Sequence, residues 1–160
     1  MDEYVVYNMY SHMLTSDRRT WPEGGAMKLW NFRRPLHLDE MAIWAGEVKL
    51  THRDRARLNS KLDMLERIGF EQAHGLDFLA GPLKGQRHIY KLVIHSDRML
   101  RPMLCLGPID NSQEMTLLCG AIEKDWTLHP ANAPERAESN RLDLLDKDKQ
   151  PPWRVDHERF

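Results

Sequence analysis

Residues 86–96 read QRHIYKLVIHS, a stretch in which polar and apolar side chains alternate. Alternation with a period of two, in a run rich in Ile, Val and Tyr, is typical of a half-buried β-strand. Successive side chains of a strand point to opposite faces, so Tyr90 and Ile94 share one face while Lys91 and His95 share the other. The stretch therefore predicts a strand with an apolar face for the core and a polar face that carries a lysine and a histidine.

Two further strands are predicted directly after this one. Residues 99–106 and 114–122 are apolar runs separated by GPIDNS at 107–112, and Asp97 and Arg98 form a tight connection before the first run. Consecutive strands joined by short turns form an antiparallel meander. The centre of the chain is therefore expected to be an antiparallel sheet.

Two helices are predicted before the meander. The first covers about residues 39–49. The second begins at Thr51, which stands three residues before Asp54 at the spacing of a capping box, and ends at Gly69. Its apolar residues recur every three or four positions, which makes one stripe for packing. The stripe and the inward strand positions give the expected core: Leu58, Leu62, Leu65, Tyr90, Leu92, Ile94, Leu104 and Leu117.

The other side of the second helix is basic. Charged helix faces are usually solvated, and a surface for RNA or the ribosome is the alternative. The basic residues are Arg53, Arg55, Arg57, Lys61 and Arg67.

One domain is expected over residues 27–146. MKLWNF at 27–32 alternates as a strand does, and a helix is predicted from about Asn132 to Leu145. Separate runs of helices and strands favour an α+β fold, with the helical hairpin packed on one face of the sheet.

The two ends of the chain differ from this domain. Residues 1–26 are interpreted as an N-terminal extension that opens with a short strand. Residues 147–160 are charged and contain two consecutive prolines, so we expect a tail that folding does not need. Trp153 and Phe160 are the side chains that could dock this tail.

Composition narrows the functional classes. The 160 residues include 23 Lys and Arg and 24 Asp and Glu, a net charge of −1, which excludes a wholly basic nucleic-acid-binding protein but leaves a local basic patch open. The sequence has neither a signal peptide nor an apolar run long enough to span a membrane, so a cytoplasmic protein without a membrane partner is expected. Cys105 and Cys119 are expected to be buried thiols, and no zinc-type spacing predicts a metal site.

A local basic patch does occur in the middle of the chain. Residues 82–104 contain five basic residues and a single acidic one. Lys91 and His95 share the outward strand face, and Arg101 on the next strand could join them. Such a face could hold a phosphodiester, although polar residues are also ordinary on the solvent side of a sheet.

The motifs in this region, in their order, resemble those of the RelE/HigB toxin superfamily, and more narrowly its phage-derived HigB-like branch. The resemblance is carried by LKG at 83–85, IYKLVIHS at 89–96, Arg98 and Arg101 in an Arg-x-x-Arg hairpin, and LLCGAIEK at 117–124.

This resemblance covers about residues 27–146 and implies both a fold and an activity. The implied fold is RelE-like: an N-terminal helical hairpin packed on a twisted antiparallel sheet of about four strands, with a C-terminal helix. The implied activity is that of a type II toxin–antitoxin endoribonuclease, which inhibits translation by cutting mRNA on the ribosome. Cleavage would proceed by 2′-OH attack without metal or cofactor, and a cognate antitoxin, a small helix-turn-helix protein, would neutralise the toxin.

The resemblance also implies a set of site residues. Lys91 would bind phosphate or activate the nucleophile, and Arg101, expected to be exposed, would stabilise transition-state charge. Lys124 would supply a further basic group, and His129 an acid or base. Contacts with the RNA backbone are implied for Lys84, Arg87, Arg98 and His95.

Three positions depart from the family pattern. Val93 stands where a basic residue is usual, Cys119 where a histidine is usual, and Glu123 replaces one of two lysines. Two alternatives therefore stay open. One is a catalytically inactive protein of this superfamily that, like the ParE branch, binds a host or phage protein. The other is a metal-dependent hydrolase that uses some of the eight histidines.

Overall fold

A computed structural model describes residues 26–160, so the N-terminal extension predicted over 1–26, apart from Ala26, lies outside the described residues. Three helices and eight strands make up this described part. In chain order they are β1 Lys28–Phe32, α1 Glu40–Val48, α2 His52–Gly75, β2 Leu79–Ala80, β3 Tyr90–Leu92, β4 Ile94–His95, β5 Met99–Leu106, β6 Glu114–Lys124, β7 Thr127–His129, α3 Ala133–Leu145 and β8 Arg154–Asp156.

The strands form a single mixed sheet with the order β2-β3-β5-β6-β1-β8; β4 also pairs with β5, and β7 with β6. The predicted fold, a four-stranded antiparallel sheet with a helical hairpin at its N-terminal end, is therefore wrong. The helices follow a first strand, and that strand runs parallel to β6. No short turn ties β1 to its neighbours, because α1 and α2 carry the chain to the far edge of the sheet, and such a connection permits parallel pairing.

The start of α2 is as predicted. The Thr51 hydroxyl accepts a hydrogen bond from the Asp54 amide, and the Asp54 carboxylate accepts one from the Thr51 amide, both at 3.1 Å. The predicted end at Gly69 is wrong. Gly69 adopts φ 79° and ψ 175°, which kinks the helix, and the chain then resumes helical geometry as far as Gly75. Beyond the kink, Phe70 packs edge-on against the Tyr90 ring, with 4.7 Å between ring centroids.

The sheet is covered on both faces, and the predicted core is confirmed on one of them. Leu58, Leu62 and Leu65 of α2 are buried against the inward strand positions. Seven of the eight predicted core residues belong to this cluster, and Tyr90 packs on it. A second cluster joins α3 to the opposite face of the sheet, around Ile89.

The end of the chain belongs to the sheet. β8 pairs antiparallel with β1, and the Arg154 guanidinium lies 2.6 Å from the Glu114 carboxylate. Trp153 packs on the second cluster, and Phe160 packs on the first. The side chain of Asn59 exchanges two hydrogen bonds with the Phe160 backbone, at 2.9 and 3.2 Å. The segment predicted as a tail is therefore anchored to the sheet as an edge strand, and Trp153 and Phe160, the side chains named as possible docking residues, pack on the two clusters.

The structure also bears on the two cysteines, on the basic face of α2 and on membrane-spanning helices. Cys105 and Cys119 are buried free thiols, as expected. Lys61, on the basic side of α2, is buried with its ammonium group 5.4 Å from the Phe78 ring centroid. Among residues 26–160, no helix combines the length and the apolar character needed to cross a bilayer.

Candidate functional site

The register of the central strands gathers several predicted site residues on one sheet face. His95 pairs with Met99, and Met99 pairs with Glu123. Paired residues point to the same face, and so does every second residue along a strand. Lys91, four residues before His95, and Arg101, two after Met99, therefore share this face with Glu123. It is the face that α3 covers further along the strands.

Lys91 and Arg101 converge there on the carboxylate of Glu123. Arg101 donates from Nε and Nη2 to Oε2, at 3.0 and 2.7 Å. Lys91 Nζ lies 3.4 Å from Oε1. The side chains of Lys91, Arg101 and Glu123 are 23%, 4% and 18% exposed. We call these three residues the ion cluster.

The ion cluster keeps Glu123 charged. Burial alone would raise the pKa of this carboxyl group, but the hydrogen bonds and charges of Arg101 and Lys91 outweigh burial and hold the pKa below its ordinary value. Glu123 is therefore ionised at neutral pH and fixed in position by Arg101. A fixed carboxylate with part of its surface open to solvent can accept a hydrogen bond from a bound hydroxyl group, and its lowered pKa makes it a weaker base than an ordinary glutamate.

The burial of Arg101 contradicts the expectation of an exposed side chain. Arg101 lies on β5, between neighbouring strands on both sides, and it also donates to its neighbour, the carbonyl oxygen of Leu100, at 3.0 Å. Its guanidinium is occupied by protein acceptors on the inner side of the cluster. Arg101 is therefore a positioning residue for Glu123, and Lys91 is the cluster's accessible cation.

Lys124 and His129 are not brought to the ion cluster. The hairpin between β6 and β7 pairs Glu123 with Leu128, Lys124 with Thr127 and Ile122 with His129. Lys124 and His129 consequently point to the face opposite Glu123. The four residues predicted as catalytic are thus divided between the two faces. His95 is the histidine that shares the face of the ion cluster.

The residues predicted to bind RNA also fall into separate groups. Lys84 and Arg87 are exposed on the loop between β2 and β3. Arg87, together with His88, lines a cleft of about 660 Å³ that extends to Glu138 and Arg141 of α3. This placement leaves both predicted cations accessible.

Arg98, in contrast, is used inside the fold. It donates to the carbonyl oxygens of Val48 and Lys49 at the end of α1, at 2.6 and 3.2 Å. It also donates to the fully buried Asp54 carboxylate at 2.8 Å. Arg98 therefore ties the end of α1 to the start of α2, and its predicted contact with RNA lacks support in this geometry.

The described residues include neither a reactive thiol nor a cluster of metal ligands. Burial raises the pKa of Cys105 and of Cys119 to about 12, so neither is a thiolate at neutral pH. Within residues 26–160, no three His, Cys, Asp or Glu side chains lie together as a metal ion would require.

The residue that sequence reasoning missed is Glu123, which was interpreted only as a departure from a lysine pair. Glu123 lies two residues after Ala121, so the alternation along β6 predicts that both side chains point to the same sheet face. However, its meeting with Arg101 depends on the register between β5 and β6, which shifts at Met103 and Leu104. The sequence does not reveal this shift, because the consecutive residues Leu117, Leu118 and Cys119 opposite it are all apolar and mark no change of face.

Comparison with known proteins found no match to a family model, a curated protein or a solved structure. The resemblance to RelE/HigB toxins therefore rests on the motifs between residues 83 and 124.

Proposed function

We propose that the protein is an RNA-cleaving toxin of the HigB/RelE type, which acts on mRNA at the ribosome without a metal ion. The observation that carries this proposal is that Glu123, Lys91 and His95 share one sheet face. Attack by a ribose 2′-OH on phosphorus needs a base, a cation for the developing phosphorane charge and an acid for the leaving oxygen. The three side chains supply one group of each kind.

The roles follow from burial and register. Glu123, ionised and held by Arg101, takes the 2′-OH proton as the O2′–P bond forms. Lys91 Nζ binds a non-bridging phosphate oxygen. His95 lies on a strand two positions from β6, so their backbones are roughly 10 Å apart, which leaves room for a phosphodiester between His95 and Glu123. A protonated His95 donates to the 5′-oxygen as the P–O5′ bond breaks, and the products are a 2′,3′-cyclic phosphate and a 5′-OH.

The remaining parts of the proposal concern partners. The exposure of Lys84 and Arg87 supports contacts with the RNA backbone outside the ion cluster, which exposed cations commonly make. A toxin of this type needs a cognate antitoxin, for which a small helix-turn-helix protein is the proposed partner.

One observation favours the second candidate, a non-catalytic protein that binds a host or phage protein. Glu123 neutralises much of the positive charge of Lys91 and Arg101, so this face is less cationic than the sequence suggests. An inactive binding protein would tolerate that neutralisation.

The deciding experiment combines expression with in-vitro cleavage. Wild-type protein should stop translation in bacterial cells and cut mRNA only when ribosomes are present. Lys91→Ala should lower the cleavage rate about 10²–10³-fold, as loss of a charge-stabilising group does. Lys147→Ala is the matched control, because Lys147 is exposed and lies just after the end of α3.

His95→Gln tests the assignment of the acid. It should lower the rate about 10²-fold, and His37→Gln, at an exposed loop position, is its control. A stronger defect in His129→Gln would show that the acid is on the opposite face. If cells that express the Lys91→Ala variant show full growth arrest while their mRNA stays intact, the nuclease proposal is wrong and the binding protein is favoured.

A further inference from the structure

The hairpin between β6 and β7 is closed by Asp125 and Trp126, both with positive φ, 52° and 63°. Positive φ at both central residues is the requirement of a type I′ turn, which favours Asn or Asp followed by Gly. Asp125 suits its position. Trp126 does not, because a bulky side chain in the left-handed region is disfavoured. The turn therefore keeps a tryptophan where folding would favour a glycine.

The side chain of Trp126 gains nothing from the fold in return, since it is 97% exposed. The indole of Trp44 is buried against Gly120, and the Trp30 ring is contacted by Lys28 and Arg154, whose charged groups lie 4.0 and 4.1 Å from its centroid. A backbone strained to display a fully solvated indole is an observation from which a binding function can be inferred.

The surroundings of Trp126 indicate the ligand. Lys124, exposed and paired with Thr127, precedes the turn. Glu123 precedes Lys124 on the same strand and points to the other face of the sheet, so the ion cluster begins within roughly 10 Å of Trp126 along the backbone. Neighbouring nucleotides of one RNA strand can span that distance. A flat aromatic ring beside a lysine offers a stacking surface for a base and a cation for a phosphate.

We propose that Trp126 stacks on an unpaired base of single-stranded RNA while Lys124 binds an adjoining phosphate. This inference rests on the proposed function, because it concerns the same substrate. Recognition of unstacked bases by aromatic side chains tolerates many sequences, and it fails for duplexes, whose bases remain stacked on one another.

The test is a titration of a fluorescently labelled single-stranded 2′-O-methyl RNA with the full chain, in which binding is followed by the anisotropy of the label. This probe has no free 2′-OH, so binding is measured separately from cleavage. The anisotropy should rise as wild-type protein is added. Trp126→Phe should keep the affinity within about 3-fold, whereas Trp126→Gly should lower it about 10-fold. The melting temperature of Trp126→Gly should be unchanged or higher, since glycine suits the turn.

Leu36→Gly is the matched control. Leu36 is also fully exposed and has a positive φ of 64°, but it offers no ring for stacking. Its replacement should leave the RNA affinity unchanged. If Trp126→Gly fails to fold, Trp126→Asn is the second variant, because asparagine tolerates the left-handed region.

The outcomes separate this inference from the proposed function. Equal RNA affinity of wild type and Trp126→Gly overturns the inference, even where ribosome-dependent cleavage is observed. Equal binding of single-stranded and duplex probes also overturns it. If Trp126→Gly abolishes growth arrest but leaves RNA affinity unchanged, the hairpin contacts a protein and the inference is wrong. If RNA binding depends on Trp126 but the protein does not cut mRNA, the inference is supported and the proposed nuclease function is wrong.

Discussion

Glu40 and Glu123 are each held between two cationic side chains, but the two arrangements bury opposite partners. The Glu40 side chain is 5% exposed and contacts Arg34 at 2.5 Å and Arg136 at 2.8 Å, two arginines that are partly exposed. In the ion cluster Arg101 is the buried partner, and the carboxylate keeps some access to solvent. Glu40 can therefore serve the fold only, whereas Glu123 is open to a ligand.

The connections of each carboxylate support this difference. Arg34 also donates to Asn140 of α3 at 2.7 Å, and Asn140 donates to the Leu118 carbonyl oxygen of β6 at 2.9 Å. The Glu40 cluster thus joins α1, α3 and the sheet. Glu123 has no comparable chain of bonds to a helix among its described contacts. Access to the carboxylate, rather than the number of charges around it, distinguishes a site from a structural bridge.

The largest expected effect is that of Glu123→Gln on cleavage. Removal of a general base should lower the rate per folded molecule about 10²–10⁴-fold. The buried Arg101 also loses its charged partner, so the free energy of unfolding should fall by about 1–3 kcal/mol. The measurement is ribosome-dependent cleavage at a temperature where urea denaturation shows the variant to be folded. A rate near that of wild type would show that the open carboxylate is not the base.

The core under α2 provides the reference for stability. Leu62 is fully buried, so Leu62→Ala should cost roughly 2–5 kcal/mol of unfolding free energy by urea denaturation. Its loss of activity should match its loss of folded protein, in contrast with Glu123→Gln. A cost near zero would contradict the packing of α2 on the sheet.

These helices and central strands were predictable because their signals are local. The stripe that contains Leu62 and the alternation around Lys91 depend on positions a few residues apart. The parallel pairing of β1 with β6 and the edge strand β8 depend on long-range contacts, and strands of two or three residues are too short to show a period.

The candidate site was predictable to the same extent. Alternation placed Lys91, His95 and Arg101 on one face, as the register has them. The burial of Arg101 and the role of Glu123 required the strand order and the shift between β5 and β6. The face of His129 could not be predicted, because it is set by the turn at residues 125–126 and by the pairing of β7 with β6.

Glu40→Gln is the counterpart of Glu123→Gln and has a smaller total effect. Arg34 and Arg136 can regain water when the charge is lost, so we expect about 1–3 kcal/mol of destabilisation. The cleavage rate per folded molecule should stay within about 3-fold of wild type. Equal rate losses in the two variants would remove the distinction between an open and a closed carboxylate.

The smallest effect concerns His157, a partly buried side chain whose neutral form is favoured by burial. Its Nδ1 lies 3.0 Å from Asn31 Oδ1, and Asn31 Nδ2 donates to Asp39 at 3.1 Å. Because the amide oxygen of Asn31 is the acceptor, Nδ1 carries the proton and the neutral ring satisfies this chain of bonds. Burial lowers the pKa of His157, and the nearby charges of Asp39 and Asp63 offset only part of that effect.

Just below pH 6.5, the ordinary pKa of histidine, His157 therefore binds a proton in the unfolded chain but stays neutral in the folded protein. The free energy of unfolding should fall as the pH drops from 6.5 towards the folded-state pKa, by at most about 1.4 kcal/mol per pH unit. The contribution of Glu123 has the same sign but acts at lower pH: it is present above the unfolded carboxyl pKa of 4.5 and is lost as the pH falls through the folded value. Urea denaturation between pH 8 and 5 should thus show a shallower pH dependence for His157→Asn than for wild type, while His37→Asn keeps the wild-type dependence. An identical slope in His157→Asn would mean that His157 accepts its proton in the folded protein, and that burial does not decide its charge.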